Sequence, residues 1–149
     1  MATIRLASVS DLKQLALLFD AYREFYEQNP NLTLATSFVA ARLTNADSII
    51  LIAENEKQQL IGFCQIYPSF CSVAAAKIGM LYDLYVNVSA RKTGAGRALM
   101  LAAHEYAANN NMLRLDLTTA KDNLKAQALY ESLGWARDDV FYAYSKQLK

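Results

Sequence analysis

The sequence predicts one α/β domain, a mixed sheet with helices on both faces. Three observations point there. Runs of β-branched and aromatic residues alternate with runs whose apolar residues recur at helical spacing. The breaks between them are short turn and cap signals, with no linker, repeat or low-complexity tract. Residues 78–88 form an almost continuous apolar run, which suits a strand covered on both faces rather than solvated on one. A chain of 149 residues, 54% of them hydrophobic, is long enough to bury a sizeable core.

The elements follow in chain order. Residues 3–6 read as a short strand, and Ser8 with Asp11 forms a capping box. Leu12, Leu15, Ala16, Phe19, Tyr22 and Tyr26 then recur at helical spacing until Asn29-Pro30 stops the helix. A second helix is expected over 34–45. Ile49 to Ala53 is a strand, the polar stretch 54–58 a hairpin turn, and Leu60 to Tyr67 the return strand. Pro68 to Ala76 reads as a loop, and the apolar run 78–88 is the next strand. Gly94-Ala95-Gly96 opens a helix to about Asn109, and Leu113 to Thr119 is another strand. Asp122 or Asn123 caps a helix through Leu133, which Gly134 ends. Phe141 to Leu148 reads as a closing strand, giving β-α-α-β-β-β-α-β-α-β. Its Phe141, Tyr142 and Tyr144 also suit a subunit contact, so a homodimer is expected.

Composition removes several classes of function. Fifteen basic and 14 acidic residues leave a net charge of +1, which makes no case for nucleic acid or a membrane surface as partner. The aliphatic runs are far too short to span a bilayer. Arg5, Asp11 and Lys13 fall where a signal peptide would be apolar, so no leader is expected. Cys64 and Cys71 make neither a disulfide scaffold nor a zinc site and read as half-buried thiols of a reducing, cytoplasmic compartment. No metal is expected. Residues 1–75 sum to −2 and residues 76–149 to +3, weak support for one cationic and one anionic ligand.

The anionic ligand has a candidate site. Arg91-Lys92-Thr93-Gly94-Ala95-Gly96-Arg97 follows a buried strand and opens a helix. Glycines there let a ligand approach backbone N–H groups at a helix N-terminus, where the dipole and the basic side chains favour a pyrophosphate. A Walker A loop would need Gly-Lys-Ser/Thr, which is absent. A dinucleotide fingerprint would need a small residue where Leu99 stands and glycines directly after the strand. An ordinary Gly-rich loop with solvated charges is the plain alternative.

These residues resemble a known family. Arg91-x-x-Gly94-x-Gly96 matches the signature of the GNAT superfamily of acetyl-CoA-dependent N-acetyltransferases. Asp83-Leu84-Tyr85-Val86 looks like that family's cofactor strand. Thr118-Thr119-x-x-x-Asn123 and Ala128-Leu129-Tyr130-Glu131-x-x-Gly134-Trp135 look like its last motif. The resemblance covers essentially all of residues 1–149 and implies a twisted, mostly antiparallel sheet. It implies acetyl transfer from acetyl-CoA to a primary amine, small molecule or peptide, by direct attack. Backbone groups of Leu84, Tyr85 and Val86 would pair with the pantetheine arm, and the amides of Lys92, Thr93, Gly94, Ala95, Gly96 and Arg97 would hold the pyrophosphate. Asn123 would bond the pantetheine region and Tyr130 would face the thioester sulfur. Seven residues are two helical turns, so Asn123 and Tyr130 share a face about 10 Å apart. The end of the first helix, with Tyr22, Tyr26 and Glu27, would wall the amine site. The chain has Tyr82 where polyamine-acetylating members carry Glu. It looks closer to the branch that includes histone- and D-amino-acid-acetylating enzymes, which shares the stretch Asp83 to Asn87.

The chemistry sets the roles. An alkyl amine with a pKa near 10.4 hides about 4 kcal/mol of deprotonation near neutral pH, so a proton acceptor is needed. Asp83 is the candidate, directly or through water; a structural carboxylate is the alternative. Tyr130 is the candidate acid for the leaving thiolate, acting by hydrogen bonding because a free phenol is the weaker acid; packing in the stripe Ala126, Leu129, Tyr130, Leu133 is its alternative. A backbone N–H on the 82–87 strand is the expected oxyanion donor. His104 is expected in a surface or packed role rather than in catalysis, and Trp135 in the core. A CoA-binding or regulatory module without catalysis is the rival reading of the whole chain.

Overall fold

A computed structural model describes all 149 residues. In chain order the elements are β1 (Thr3–Leu6), α1 (Leu12–Phe25), α2 (Leu32–Asn45), β2 (Ile49–Glu54), β3 (Leu60–Cys71), β4 (Ala76–Val86), α3 (Ala95–Asn109), β5 (Leu115–Asp116) and α4 (Leu124–Ser132). Short 3-10 turns at Val9–Asp11 and Val88–Ala90 lead into α1 and follow β4. The chain divides into two compact units, Met1–Thr118 and Thr119–Lys149. The first holds a five-stranded sheet in the order β1-β2-β3-β4-β5, antiparallel except for the parallel pair β4–β5.

Strand parity sorts the two faces of this sheet. Ile50, Ile52, Phe63 and Tyr85 point to one side, where Leu15 and Leu18 of α1 and Val39 of α2 close over them as one buried cluster. Cys64 points to the other side, and its thiol approaches the Leu99 carbonyl of α3 at 3.9 Å. Leu99, Met100 and Ala103 of α3 are buried on that side. Helices therefore cover both faces, as expected.

Three elements depart from expectation. β3 and β4 run on through 68–76 as a long hairpin instead of opening into a loop. Pro68 is tolerated because its partner Gly79 donates its N–H to Arg114 of the β5 side at 3.1 Å, so the pair exchanges no bond and Pro68 faces the side where β2 has ended. The strand expected over 113–119 shrinks to Leu115–Asp116, after a bond from Leu113 N–H to Lys77 C=O of 2.8 Å. It packs closely: a Cβ on Gly79 would lie 2.6 Å from Leu115 Cδ2 and 2.9 Å from Met112 Sδ. No strand forms at 141–148. Phe141, Tyr142 and Tyr144 are exposed, and their aromatic, strand-prone pattern lacks the ladder partner that makes a strand. The apolar run around β4 is also not covered throughout, because Tyr82 is 68% exposed.

One ionic knot ties the start of the chain to the sheet. Arg5 of β1 forks onto Asp11, with Nη1 to Oδ2 and Nη2 to Oδ1 both 2.9 Å, and Nη2 also reaches Glu54 Oε2 of β2 at 2.7 Å. The Ser8 N–H donates to Asp11 Oδ2 at 2.7 Å, which completes the acidic half of the capping box. Arg5 foremost, helped by Ser8, holds the Asp11 carboxyl down at about 2, against desolvation. A depressed carboxylate stabilises the fold above its unfolded range and loses that contribution as pH falls through the folded value. Stability is therefore expected to drop between about pH 4 and pH 2. Asp11→Asn should lower stability at pH 7 by about 1–2 kcal/mol, given partial solvent screening, and flatten that acid limb. Thermal unfolding against pH checks both; identical melting curves for the two proteins would contradict them.

Candidate active site

The site begins with a register slip. Gln65 of β3 pairs with Asp83, but Ile66 pairs with Leu81, so Tyr82 is an extra residue in β4. The bulge leaves Tyr82 exposed and turns Asp83 to the α1 side of the sheet, where it is 6% exposed. A buried carboxylate needs donors. Gln65 Nε2 donates to Asp83 Oδ2 at 2.9 Å, and the Tyr22 hydroxyl of α1 donates to the same carboxylate. Behind Gln65, the Ser48 hydroxyl donates to Gln65 Oε1 at 2.7 Å.

Aromatic rings surround this carboxylate. Tyr22 meets Tyr26 edge-on at 5.2 Å, Phe63 at 5.6 Å and Tyr85 at 6.0 Å between centroids. Tyr67 and Tyr82 form a second edge-on pair at 5.7 Å. Burial pushes the Asp83 carboxyl above its ordinary range, opposed by the bonds from Gln65 and Tyr22. Burial and then the charge of Asp83 push Tyr22 far up and Tyr67 up to about 12. Both phenols stay hydroxyls near neutral pH, so Asp83 is the group here able to accept a proton.

The second part of the site lies where β4 runs on alone. β5 pairs with β4 only at Gly79 and Met80, so the stretch from Leu81 to Val86 has no ladder partner on that side. The Asn87 N–H bonds the Ile61 carbonyl at 2.8 Å, and antiparallel ladders alternate. Tyr85 therefore spends its backbone groups on Phe63, while Leu84 and Val86 direct theirs to the open edge.

The glycine turn follows directly. Lys92 (φ 65°) and Gly94 (φ 88°) are both left-handed, and α3 starts at Ala95. Thr93 Oγ1 donates to the Ala90 carbonyl at 2.6 Å and braces the turn. The first amides of α3 have no intrahelical acceptor by geometry. Arg91 leans back instead: its Nε donates to the Val86 carbonyl at 3.1 Å, and its guanidinium lies 5.6 Å from the Phe25 ring and 5.8 Å from Tyr85. Exposed amides, left-handed backbone, a helix N-terminus and basic side chains are the donor set that suits a diphosphate.

The structure thus brings Tyr22, Tyr26, Tyr82 and Asp83 together, and joins Arg91 to Tyr85 and Val86. Glu27 sits apart, exposed just past α1 with φ 62°, and makes no hydrogen bond to this cluster. Asn123 and Tyr130 belong to the second unit. Asn123 caps α4, its Oδ1 accepting from the Ala126 N–H at 3.2 Å, which leaves its Nδ2 amide protons for other acceptors. Tyr130 is half-buried, 6.2 Å from the Trp135 ring, and Gly134 (φ 88°) ends the helix. Trp135 is half-buried rather than core, His104 is exposed, the first of its two expected roles, and Cys64 is fully buried rather than half. No helix is long and apolar enough to cross a membrane. Gln65, Ser48 and Tyr67 were not anticipated. The available signal was Gln65 itself, the one strongly polar side chain in the run Leu60 to Tyr67.

Comparison with known proteins matches this fold. The family model described as Acetyltransferase (GNAT) family matches residues 14–135. An uncharacterised N-acetyltransferase of Bacillus subtilis (strain 168), YhfO, is 47% identical over 141 residues, covering 95% of this chain and 94% of that protein. The crystal structure of a probable acetyltransferase superposes with a TM-score of 0.93 at 34% identity, covering 99% of this chain and 98% of the other. A ribosomal-protein-alanine N-acetyltransferase from Brucella melitensis biovar Abortus 2308 shares the fold, with a TM-score of 0.78 at 22% identity over 97% of this chain and 99% of that one.

Burial of Asp83 carries a stability signature. A carboxyl whose folded pKa is raised contributes stability below its unfolded pKa and loses it as pH rises through the folded value. Asp83→Asn keeps an acceptor for Gln65 and Tyr22 without the buried charge. The variant should melt higher than the parent at pH 8, and the gap should close toward pH 4. Melting temperatures measured at both pH values decide it; a lower melting point at pH 8 would show that the carboxylate is a net stabiliser.

Proposed function

The chain belongs to the GNAT family and is an acyltransferase, and on that premise we propose that it transfers the acetyl group of acetyl-CoA to a primary amine by direct attack. The observation that carries the reading is the juxtaposition of a buried, tyrosine-ringed carboxylate with an open strand edge that leads into a glycine turn. Acetyl-CoA supplies an activated acyl carbonyl. Its pyrophosphate would be held by the amides of Lys92 to Arg97, and its pantetheine arm by the open-edge backbone groups of Leu84 and the Val86 N–H and, as the family motif implies, by Asn123.

The amine arrives as an ammonium ion. Tyr22, Tyr26 and Tyr82 offer ring faces worth about 0.5–2 kcal/mol to such a cation, and Asp83 offers the countercharge. The substrate class is therefore a cationic amine, small molecule or peptide, with Glu27 as a more distant acidic contact at the rim. Asp83 takes one ammonium proton, directly or through a water, which exposes the nitrogen lone pair. The nitrogen then bonds the acetyl carbon while a Leu84 or Val86 N–H stabilises the developing oxyanion. The carbon–sulfur bond breaks, the second proton of the attacking nitrogen passes to the departing thiolate, directly or through water, and the Tyr130 hydroxyl hydrogen-bonds the sulfur as its charge develops. Residues 1–149 act as one GNAT domain, cytoplasmic, and paired as a homodimer through the exposed Phe141, Tyr142 and Tyr144.

Release of free thiol from acetyl-CoA over a panel of primary amines tests the reading. Turnover of cationic amines is expected; silence across the panel with CoA binding intact would identify a binding module instead. Gly96→Val should cripple CoA affinity while the fold survives, because the added side chain crowds the first turn of α3. Calorimetric titration showing unchanged affinity in the folded variant would sink the pyrophosphate assignment. Tyr130→Phe keeps the ring and removes the hydroxyl. Turnover should fall by roughly 10²–10⁴ with acetyl-CoA affinity nearly unchanged. Near-normal kcat would mean that Tyr130 only packs.

A further inference from the structure

Gln65 has no place in an ordinary strand core. It is 2% exposed, flanked by Cys64 at 0% and Ile66 at 0%, and an aliphatic side chain would pack there without a polar group to satisfy. Both ends of its amide are nevertheless engaged, Oε1 by the Ser48 hydroxyl at 2.7 Å and Nε2 by Asp83 Oδ2 at 2.9 Å. With Oε1 accepting from Ser48, the amide can only donate toward Asp83. A donor at that oxygen favours the charged carboxylate over the neutral acid. The register pair Gln65–Asp83 adjoins the bulge, so the amide stands directly across the ladder from the carboxyl.

We propose that Gln65, oriented by Ser48, is a positioning residue of the amine site: it holds the Asp83 carboxylate charged and in place, and thereby sets the lower pH limit of acetyl transfer. The inference rests on reading Asp83 as the proton acceptor. The other groups that face Asp83 do not titrate in its stead. Tyr22 of α1 donates to it and is raised by burial, so it stays a hydroxyl through the neutral range, while Cys64 of β3, raised as well, points to the opposite face of the sheet. Tyr67 of β3 is raised as well, and Tyr26 of α1 and Tyr82 of β4 complete the ring wall. From α2, Arg42 acts on Tyr67 but is closed onto Asp47 at 2.8 Å. Losing the Gln65 donor therefore leaves Tyr22 as the one hydrogen bond opposing burial.

The test reads Asp83 without a substrate. The side-chain carboxyl carbon of Asp83 is followed by carbon-13 NMR against pH in the parent, Gln65→Met, Ser48→Ala and Ser48→Thr. In parallel, kcat/KM against pH is measured with the amine that the parent turns over fastest. Gln65→Met should move the titration midpoint up by about one pH unit or more. The acid limb of kcat/KM should move by the same amount, with activity recovering at higher pH. Ser48→Ala should shift both in the same direction by less, and Ser48→Thr should restore the parent values. An unmoved midpoint in folded Gln65→Met, or a rate lowered equally at every pH, overturns the proposal and leaves Gln65 a packing residue. Should Gln65→Met fail to fold, Ser48→Ala, at a half-buried position, decides by the same readings, and no shift there overturns it. Undiminished turnover by Asp83→Asn would instead overturn the proton-acceptor role itself, which separates the two failures.

Discussion

One extra residue in β4 organises the site. Without the slip the β3–β4 hairpin would keep a single register from its turn to its end, Tyr82 would stand opposite Gln65, and Asp83 would fall opposite Cys64 on the other face. The slip lets the strand do two things. Before it, alternate residues of β4 bind β5. After it, the strand carries a carboxylate inward toward α1 and leaves the backbone of Leu84 and Val86 on an open edge. Bulges bend and twist the strand that carries them, and here the ladder to β5 is given up within two residues of the slip.

Asp83 is costly for the fold, and the surroundings limit that cost without removing it. Two donors, Gln65 and Tyr22, come from different elements, one across the ladder and one from the helix above. Burial still outweighs them, and the carboxyl remains above its ordinary range. A carboxylate more basic than usual is a better proton acceptor for an ammonium ion, so the destabilisation and the proposed chemistry have the same origin. The knot of Arg5 with Asp11 and Glu54 works in the opposite sense: its carboxylate is depressed and stabilises the fold.

Strain in the glycine turn follows the same logic. Lys92 is left-handed without being glycine, a conformation of order 1 kcal/mol or more above the helical well. Thr93 and Arg91 brace it from either side through the Ala90 and Val86 carbonyls. Arg91 also reaches the rings of Phe25 and Tyr85, so the turn is tied to the end of α1 and to the strand that carries Asp83.

Local chemistry made much of this chain legible in advance. Ser8 and Asp11 start α1, Asn123 caps α4, Gly134 ends it, and the glycines of the turn from Arg91 to Gly96 mark the start of α3, because caps and turns are decided within a few residues. The family motifs are local in the same way. Strand extent was not legible. Pro68 argued for a loop, yet it lies in β3 because β2 has already ended on the side that its missing N–H faces; the aromatic run 141–148 argued for a strand, yet no partner strand meets it. The pairing of Gln65 with Asp83 and the extra residue at Tyr82 were equally hidden. By itself the sequence determined the helices, their caps and the glycine turn before α3. Only the tertiary structure decided which residues gather around Asp83, because register joins residues 18 positions apart through backbone bonds that no local pattern specifies.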